Sequence, residues 1–189
     1  MPIRLKNNYT HFGLISIILH WLVAISVFSL FIVGVWMVDL GYYDEGYHQA
    51  PFIHKSVGML LFGVLLVRLF WQIANPKPAP LSDKSIEVIL GNITHLTLSA
   101  LVFAVCISGY LIVTAADAGI SVFNLFEIPA MITNIEGQED LAGIWHWYLA
   151  LTLMLLTALH TTAALKHHLI DKNDTLTRML GGRGRGTKN

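Results

Sequence analysis

Four long apolar runs, at about residues 12–38, 52–74, 90–114 and 142–167, constrain this chain more than anything else in it. A bilayer's hydrocarbon core is roughly 30 Å thick and takes about 20 apolar residues of helix to cross. Each run is long enough. Four such helices with short connections predict an all-α integral membrane protein, a four-helix bundle that takes up residues 1–189 as a single membrane domain. Composition agrees, because 54% hydrophobic and 13% charged residues in a chain of 189 make it more apolar than an ordinary soluble domain. The first run exceeds the roughly 7 to 15 apolar residues of a secretory signal, contains His20 and ends in Trp36 and Asp39, so it is expected to be a retained helix. The glycine-rich basic tail GGRGRGTKN, about 181–189, is expected to be disordered at the membrane surface.

Basic residues set the expected orientation. Arg4 and Lys6 precede the first helix, Arg68, Lys77 and Lys84 lie at or after the end of the second, and six more close the chain, whereas only Lys55 falls on the other side. The positive-inside rule then puts both termini and the 75–89 loop in the cytoplasm. The outward loops, 39–51 and 115–141, carry eight acidic residues: Asp39, Asp44, Glu45, Asp117, Glu127, Glu136, Glu139 and Asp140. Between the second and third helices, NPKPAPLSD ends the helix because its prolines remove backbone donors and Pro76 pushes Asn75 toward extended geometry.

Cys106 is alone, within the third helix, so there is no disulfide, no Cys-x-x-Cys pair and no Cys-x-x-Cys-His site for covalent heme attachment. It reads as a small packing residue.

The segment IWHWYLALTLMLLTALHTTAALKHH, 144–168, is apolar yet holds four imidazoles. His146 and His160 are fourteen residues apart, close to four helical turns, so they project from nearly one face about 21 Å apart along the axis. Polar side chains at membrane depth normally face the bundle interior with a partner. His20 on the first helix matches the depth of His160, and His54 on the second matches that of His146. Imidazole is a usual axial ligand of heme iron, and facing helices can supply two, so the pairs predict two stacked b-type sites. Gly34 and Gly58 leave room for a ring or allow close helix packing. Arg68, fourteen residues after His54, either holds a heme propionate or extends to the membrane surface. Zinc is the competing metal, but it gathers its ligands into one sphere and neither level offers a nearby Cys or carboxylate. His95 is an alternative ligand in place of His20 or His160, or a contact for a propionate or quinone.

ISIILHWL with His20, IHKSVGMLLFGVLLVRL with His54 and Arg68, and the run from Trp145 through His146, His160, His167 and His168 to LIDKNDTLTRM resemble the bacterial cytochrome b561 family, which includes the superoxide oxidase of the inner membrane. The resemblance covers about residues 9–180, while YYDEGYHQAPFIHKS and ISVFNLFEIPA look closer to another branch than to the superoxide oxidase itself. It implies four helices around two b hemes and electron transfer between an outer reductant and membrane quinone, ubiquinone in the superoxide oxidase. His54 and His146 would then hold the outer heme, and His20 and His160 the inner one. The chain has no constellation for hydrolysis or group transfer, so its chemistry is the cofactors' own.

Moving an electron inward costs about 2.3 kcal/mol per 100 mV of membrane potential for a full crossing, which calls for a strongly reducing donor. Superoxide is one, but it is an anion, and an acidic outer face slows its approach. At the inner end, His167 lies seven residues past His160 on almost the same face, where an imidazole can bind a quinone carbonyl and deliver protons. With Lys166 and His168 it also reads as an interfacial basic cluster that meets anionic lipid. The apolar loop ISVFNLFEIPAMI, 120–132, is expected to lie in the interface or over the outer heme edge, or to dock a protein.

Two functional classes follow. One is an oxidoreductase of the superoxide:quinone kind, with membrane lipid and quinone as its surroundings and no nucleic acid partner. The other is an electron-transfer subunit or carrier whose acidic face recognises a periplasmic redox protein.

Overall fold

The computed structural model describes residues 4–182, so most of the basic tail expected to be disordered lies outside the described residues. Four long helices dominate: α1 (Leu14–Val38), α2 (Gln49–Ala74), α3 (Ser85–Thr114) and α4 (Gln138–Leu169). A short hairpin, β1 (Ile120–Val122) and β2 (Phe126–Ile128), separates α3 from α4, and a single helical turn and a half, α5 (Thr175–Met179), follows. All four long helices are apolar and long enough to cross a bilayer, so the fold is the expected membrane four-helix class. Large apolar side chains such as Ile32, Phe70, Leu96 and Leu155 remain exposed along them, a surface suited to lipid.

Polar chemistry at the water side fixes where the helices start. α2 begins at Gln49, ahead of the apolar run, because Pro51 sits in the first turn where a missing donor costs nothing. α4 begins at Gln138 after Gly137, whose φ of +69° suits glycine. Glu139 and Asp140 in its first turn and Lys166, His167 and His168 in its last complement the helix dipole.

The chain divides into two compact units, each using part of every long helix. The first takes the chain up to Leu22, Leu66–Leu98 and the chain from Leu155 onward. Polar contacts between distant segments hold it. Trp71 donates from Nε1 to Ser16 Oγ (2.9 Å), Asn7 joins Ser16 to the Pro76 carbonyl, and Arg178 donates to the Ala79 carbonyl (2.8 Å). Trp21 Nε1 donates to the Met179 carbonyl (2.8 Å), tying α5 to α1.

The second unit takes Val23–Leu65 and Ser99–Met154. Every fully buried Ala, Val, Leu or Ile among the described residues lies in it, including Val27, Leu61, Leu65, Val102 and Leu153. The 115–137 connection is tightly tied down. Buried Ser56 on α2 accepts a hydrogen bond from the Phe123 N–H (3.1 Å) and contacts the Ser121 carbonyl. Phe123 and Asn124 turn the hairpin with φ of 49° and 58°, a conformation asparagine tolerates and phenylalanine rarely adopts. The Ser56 contact and the edge-on stacking of Phe123 on Phe52, with centroids 6.0 Å apart, hold it there. Tyr110 donates to the Pro129 carbonyl and accepts from the Met131 N–H, while buried Gln138 donates to the Leu111 and Ile132 carbonyls.

Candidate functional site

In the second unit, α2 and α4 present His54 and His146 to each other with ring centroids 6.2 Å apart and ring planes inclined by 75°. A glycine on each remaining helix makes room for them. A Cβ on Gly34 of α1 would lie 3.2 Å from His54 Cε1, and one on Gly109 of α3 would lie 3.0 Å from His146 Cε1. Both are closer than an ordinary carbon contact of about 3.5 to 4.0 Å. His146 Nδ1 contacts the Val105 carbonyl (3.0 Å) and Ser108 Oγ (3.1 Å). Since a carbonyl only accepts, Nδ1 carries the proton and Nε2 keeps the lone pair, a tautomer assigned from the hydrogen-bond network. His54 Nδ1 is buried without a hydrogen bond, and the Leu30 backbone lies near the ring.

The two imidazoles face a cavity of about 560 Å³, within the range of about 300 to 1,000 Å³ usual for cofactor and ligand sites. Gly58, Cys106, Gly143 and Ile120 also line it. A Cβ on Gly58 or Gly143 would meet nothing within 4 Å, so these two glycines widen the cavity, whereas Gly34 and Gly109 accommodate the imidazoles themselves. Cys106 packs with Sγ 3.9 Å from the Gly58 carbonyl. Ile120 brings the hairpin to the cavity wall.

The first unit gathers His20, Arg68, His95 and His160 within electrostatic reach of one another. The expected partners His20 and His160 thus lie in the same unit as Arg68, close enough for its charge to act on both. His95 stands edge-on to His160, with centroids 5.2 Å apart and planes inclined by 72°. It is exposed, whereas His20, Arg68 and His160 are half-buried. At the end of α4, Asp171 Oδ2 accepts from Lys166 Nζ (2.6 Å) and pairs with His167 Nδ1 (2.7 Å). The Lys166 ammonium, and after it His167, hold the Asp171 carboxyl below the usual carboxylate range. Among the described residues, no three His, Cys, Asp or Glu side chains converge as a closed zinc site requires.

Sequence reasoning overlooked Ser108, Gly109 and the Val105 carbonyl. A backbone carbonyl leaves no mark on a sequence. Gly109 does have a signal, because it lies fourteen residues after His95 in α3, just as His160 lies fourteen residues after His146 in α4.

Apolar helices of membrane-spanning length that bring imidazoles edge-on to one another in pairs define a membrane helix bundle with paired histidines. The chain belongs to the prokaryotic cytochrome b561 family, whose profile matches residues 11–182. It is 47% identical over 176 residues to cytochrome b561 homolog 2 of Escherichia coli (strain K12), covering 93% of this chain and 94% of that one. It is 28% identical over 173 residues to the probable superoxide oxidase CybB of Yersinia pestis, covering 89% of this chain and 95% of that one. The protein is thus a multi-pass bacterial membrane protein of electron transfer, and its family implies a b-type heme.

The residues present fit such a group. Two imidazoles on opposite sides of one metal, each bonded at about 2 Å and with rings of about 1.1 Å radius, have centroids about 6.2 Å apart. His54 and His146 stand at 6.2 Å, and the anchored Nδ1 of His146 leaves Nε2 with its lone pair free for a metal. His95 and His160, at 5.2 Å, are too close to stand across one metal.

Proposed function

We propose that the protein carries two b hemes and passes electrons between a periplasmic reductant and membrane quinone. The separation of His54 and His146, with His146 fixed through Nδ1 to a backbone carbonyl, is the observation that carries this reading. His54 and His146 hold the outer heme, and His20 and His160 the inner one. Each heme, when bound, exchanges one electron by changing the oxidation state of its iron. Arg68, half-buried beside the inner histidines, offers a bidentate guanidinium to a propionate. His167, kept in place by Asp171, meets a quinone headgroup at the inner interface and supplies a proton as the quinone is reduced.

Orientation follows the positive-inside rule, with both termini cytoplasmic and the His54–His146 site on the periplasmic side of the inner membrane. On that reading the hairpin closes the outer cavity, and lipid and quinone are the protein's surroundings.

The charge of the outer loops favours a particular donor. Asp39, Asp44, Glu45, Asp117, Glu127, Glu136, Glu139 and Asp140 are all exposed, and Lys55 is the one basic side chain on that side. Such a field slows an anion and steers a cationic protein. A carrier that accepts electrons from a basic periplasmic redox protein, without oxidase activity of its own, therefore stands as the second reading beside direct oxidation of superoxide.

Rapid mixing separates the two. Heme reduction by superoxide alone, at a rate set by superoxide concentration, supports the oxidoreductase reading. Reduction only when a periplasmic fraction is added supports the carrier. Quinone that fails to reoxidise the reduced protein under either donor removes both.

A further inference from the structure

The second unit shows how α3 serves the histidine of α4: the Val105 carbonyl and the Ser108 hydroxyl hold His146 Nδ1, and Gly109 lies against the ring. In antiparallel neighbours, facing positions recede in step along the two helices. Fourteen residues on from His146 in α4 is His160, and fourteen back from Gly109 in α3 is His95. The first unit contains that contact, His95 edge-on to His160 with centroids 5.2 Å apart. Two imidazoles of about 1.1 Å radius joined by a straight N–H···N hydrogen bond of about 3 Å have centroids about 5.2 Å apart. A hydrogen-bonded pair fits that distance, whereas two ligands across one metal would stand about 1 Å farther apart.

We propose that His95 is the positioning residue of His160, a ring nitrogen of His95 accepting the Nδ1–H of His160 so that His160 Nε2 is turned to the iron of the inner site. This rests on the reading of His160 as an inner ligand. His95 then does for the inner histidine what a backbone carbonyl and a serine do for the outer one. Partners of this kind fix the tautomer and orientation of a ligating imidazole and raise its basicity, and losing one typically weakens metal binding about 10- to 100-fold. An acceptor on a side chain can be removed by substitution, whereas the Val105 carbonyl cannot.

The test compares two variants of the heme-loaded protein in detergent. His95→Phe keeps the ring's bulk and removes the acceptor; His95→Gln keeps an acceptor. Heme transfer to excess apomyoglobin and the low-spin electron paramagnetic resonance signals of the two hemes are read in parallel. His95→Phe should release the inner heme about 10- to 100-fold faster and shift its low-spin signal, with the outer signal unchanged, and His95→Gln should restore both towards the parent. Equal behaviour of the two variants overturns the proposal. So does complete loss of the inner low-spin signal in both variants together with its survival in His20→Ala, because His95 would then be a ligand. Survival of the inner signal in His160→Ala would instead remove the ligand reading on which the proposal rests, whatever the His95 variants do.

Discussion

Gly109→Ala should damage the outer site selectively. The new Cβ would lie 3.0 Å from His146 Cε1 and 3.3 Å from Nδ1, with the helix backbone of α3 behind it. Restoring a carbon contact of about 3.5 to 4.0 Å needs a shift of about 0.5 to 1 Å in the imidazole. That shift lengthens the 3.0 Å contact between Nδ1 and the Val105 carbonyl beyond hydrogen-bonding range. The lost hydrogen bond costs about 0.5 to 1.5 kcal/mol. Overpacking adds about 1 to 3 kcal/mol. Alanine's better helix propensity returns about 1 kcal/mol. The net cost of about 0.5 to 3.5 kcal/mol falls on the orientation of one imidazole, a loss of roughly 2- to 300-fold in outer-heme retention at 1.4 kcal/mol per factor of ten. The assay is a reduced-minus-oxidised difference spectrum with a redox titration of the purified variant. One heme component should be depleted or shifted and the other kept. Gly58→Ala is the companion, since its Cβ meets no protein atom within 4 Å: it should leave the polypeptide's stability unchanged or slightly raised while narrowing the cavity. Gly109→Ala with both components at parental content and potential would refute the packing argument.

Other consequences follow from the same contacts. Ser56→Ala strips the Phe123 N–H of its acceptor at a fully buried position and should cost about 1 to 3 kcal/mol, read as faster proteolysis of the 115–137 connection; unchanged proteolysis contradicts the tie between hairpin and α2. His167→Ala should keep both heme spectra while slowing reoxidation of the reduced protein by added quinone, and reoxidation at the parental rate would place the quinone elsewhere. A reporter active only in the periplasm, fused after Asn189, should stay inactive; strong activity reverses the orientation and exchanges the labels of the two sites.

The helices were legible because a bilayer demands a length that few other structures need, and the runs supply it. Their water-side ends were less so. α3 starts at Ser85 and α4 at Gln138, each ahead of its apolar run, because polar residues such as Glu87, Glu139 and Asp140 belong to first turns that lie outside hydrocarbon. The hairpin had no alternating pattern to announce it, and its turn depends on Phe123 in a conformation that only tertiary contacts sustain. Depth counting brought His54 towards His146, and His20 towards His160 and Arg68, since each helix's rise is fixed at about 1.5 Å per residue. It could not say that Gly34 lies beneath an imidazole while Gly58 borders open space, because that depends on the rotation of each helix about its axis. Nor could it find the contact of His95 with His160 without the register of α3 against α4.

Two b hemes on two separate pairs of histidines in one chain can be counted. The pyridine hemochrome of purified protein, normalised to chain concentration and repeated for His146→Ala, counts them most directly. Two hemes b per chain are expected in the parent and one in the variant, with the remaining heme unaltered in spectrum. A parent value of one or less, or a variant that still holds two, would contradict the proposal.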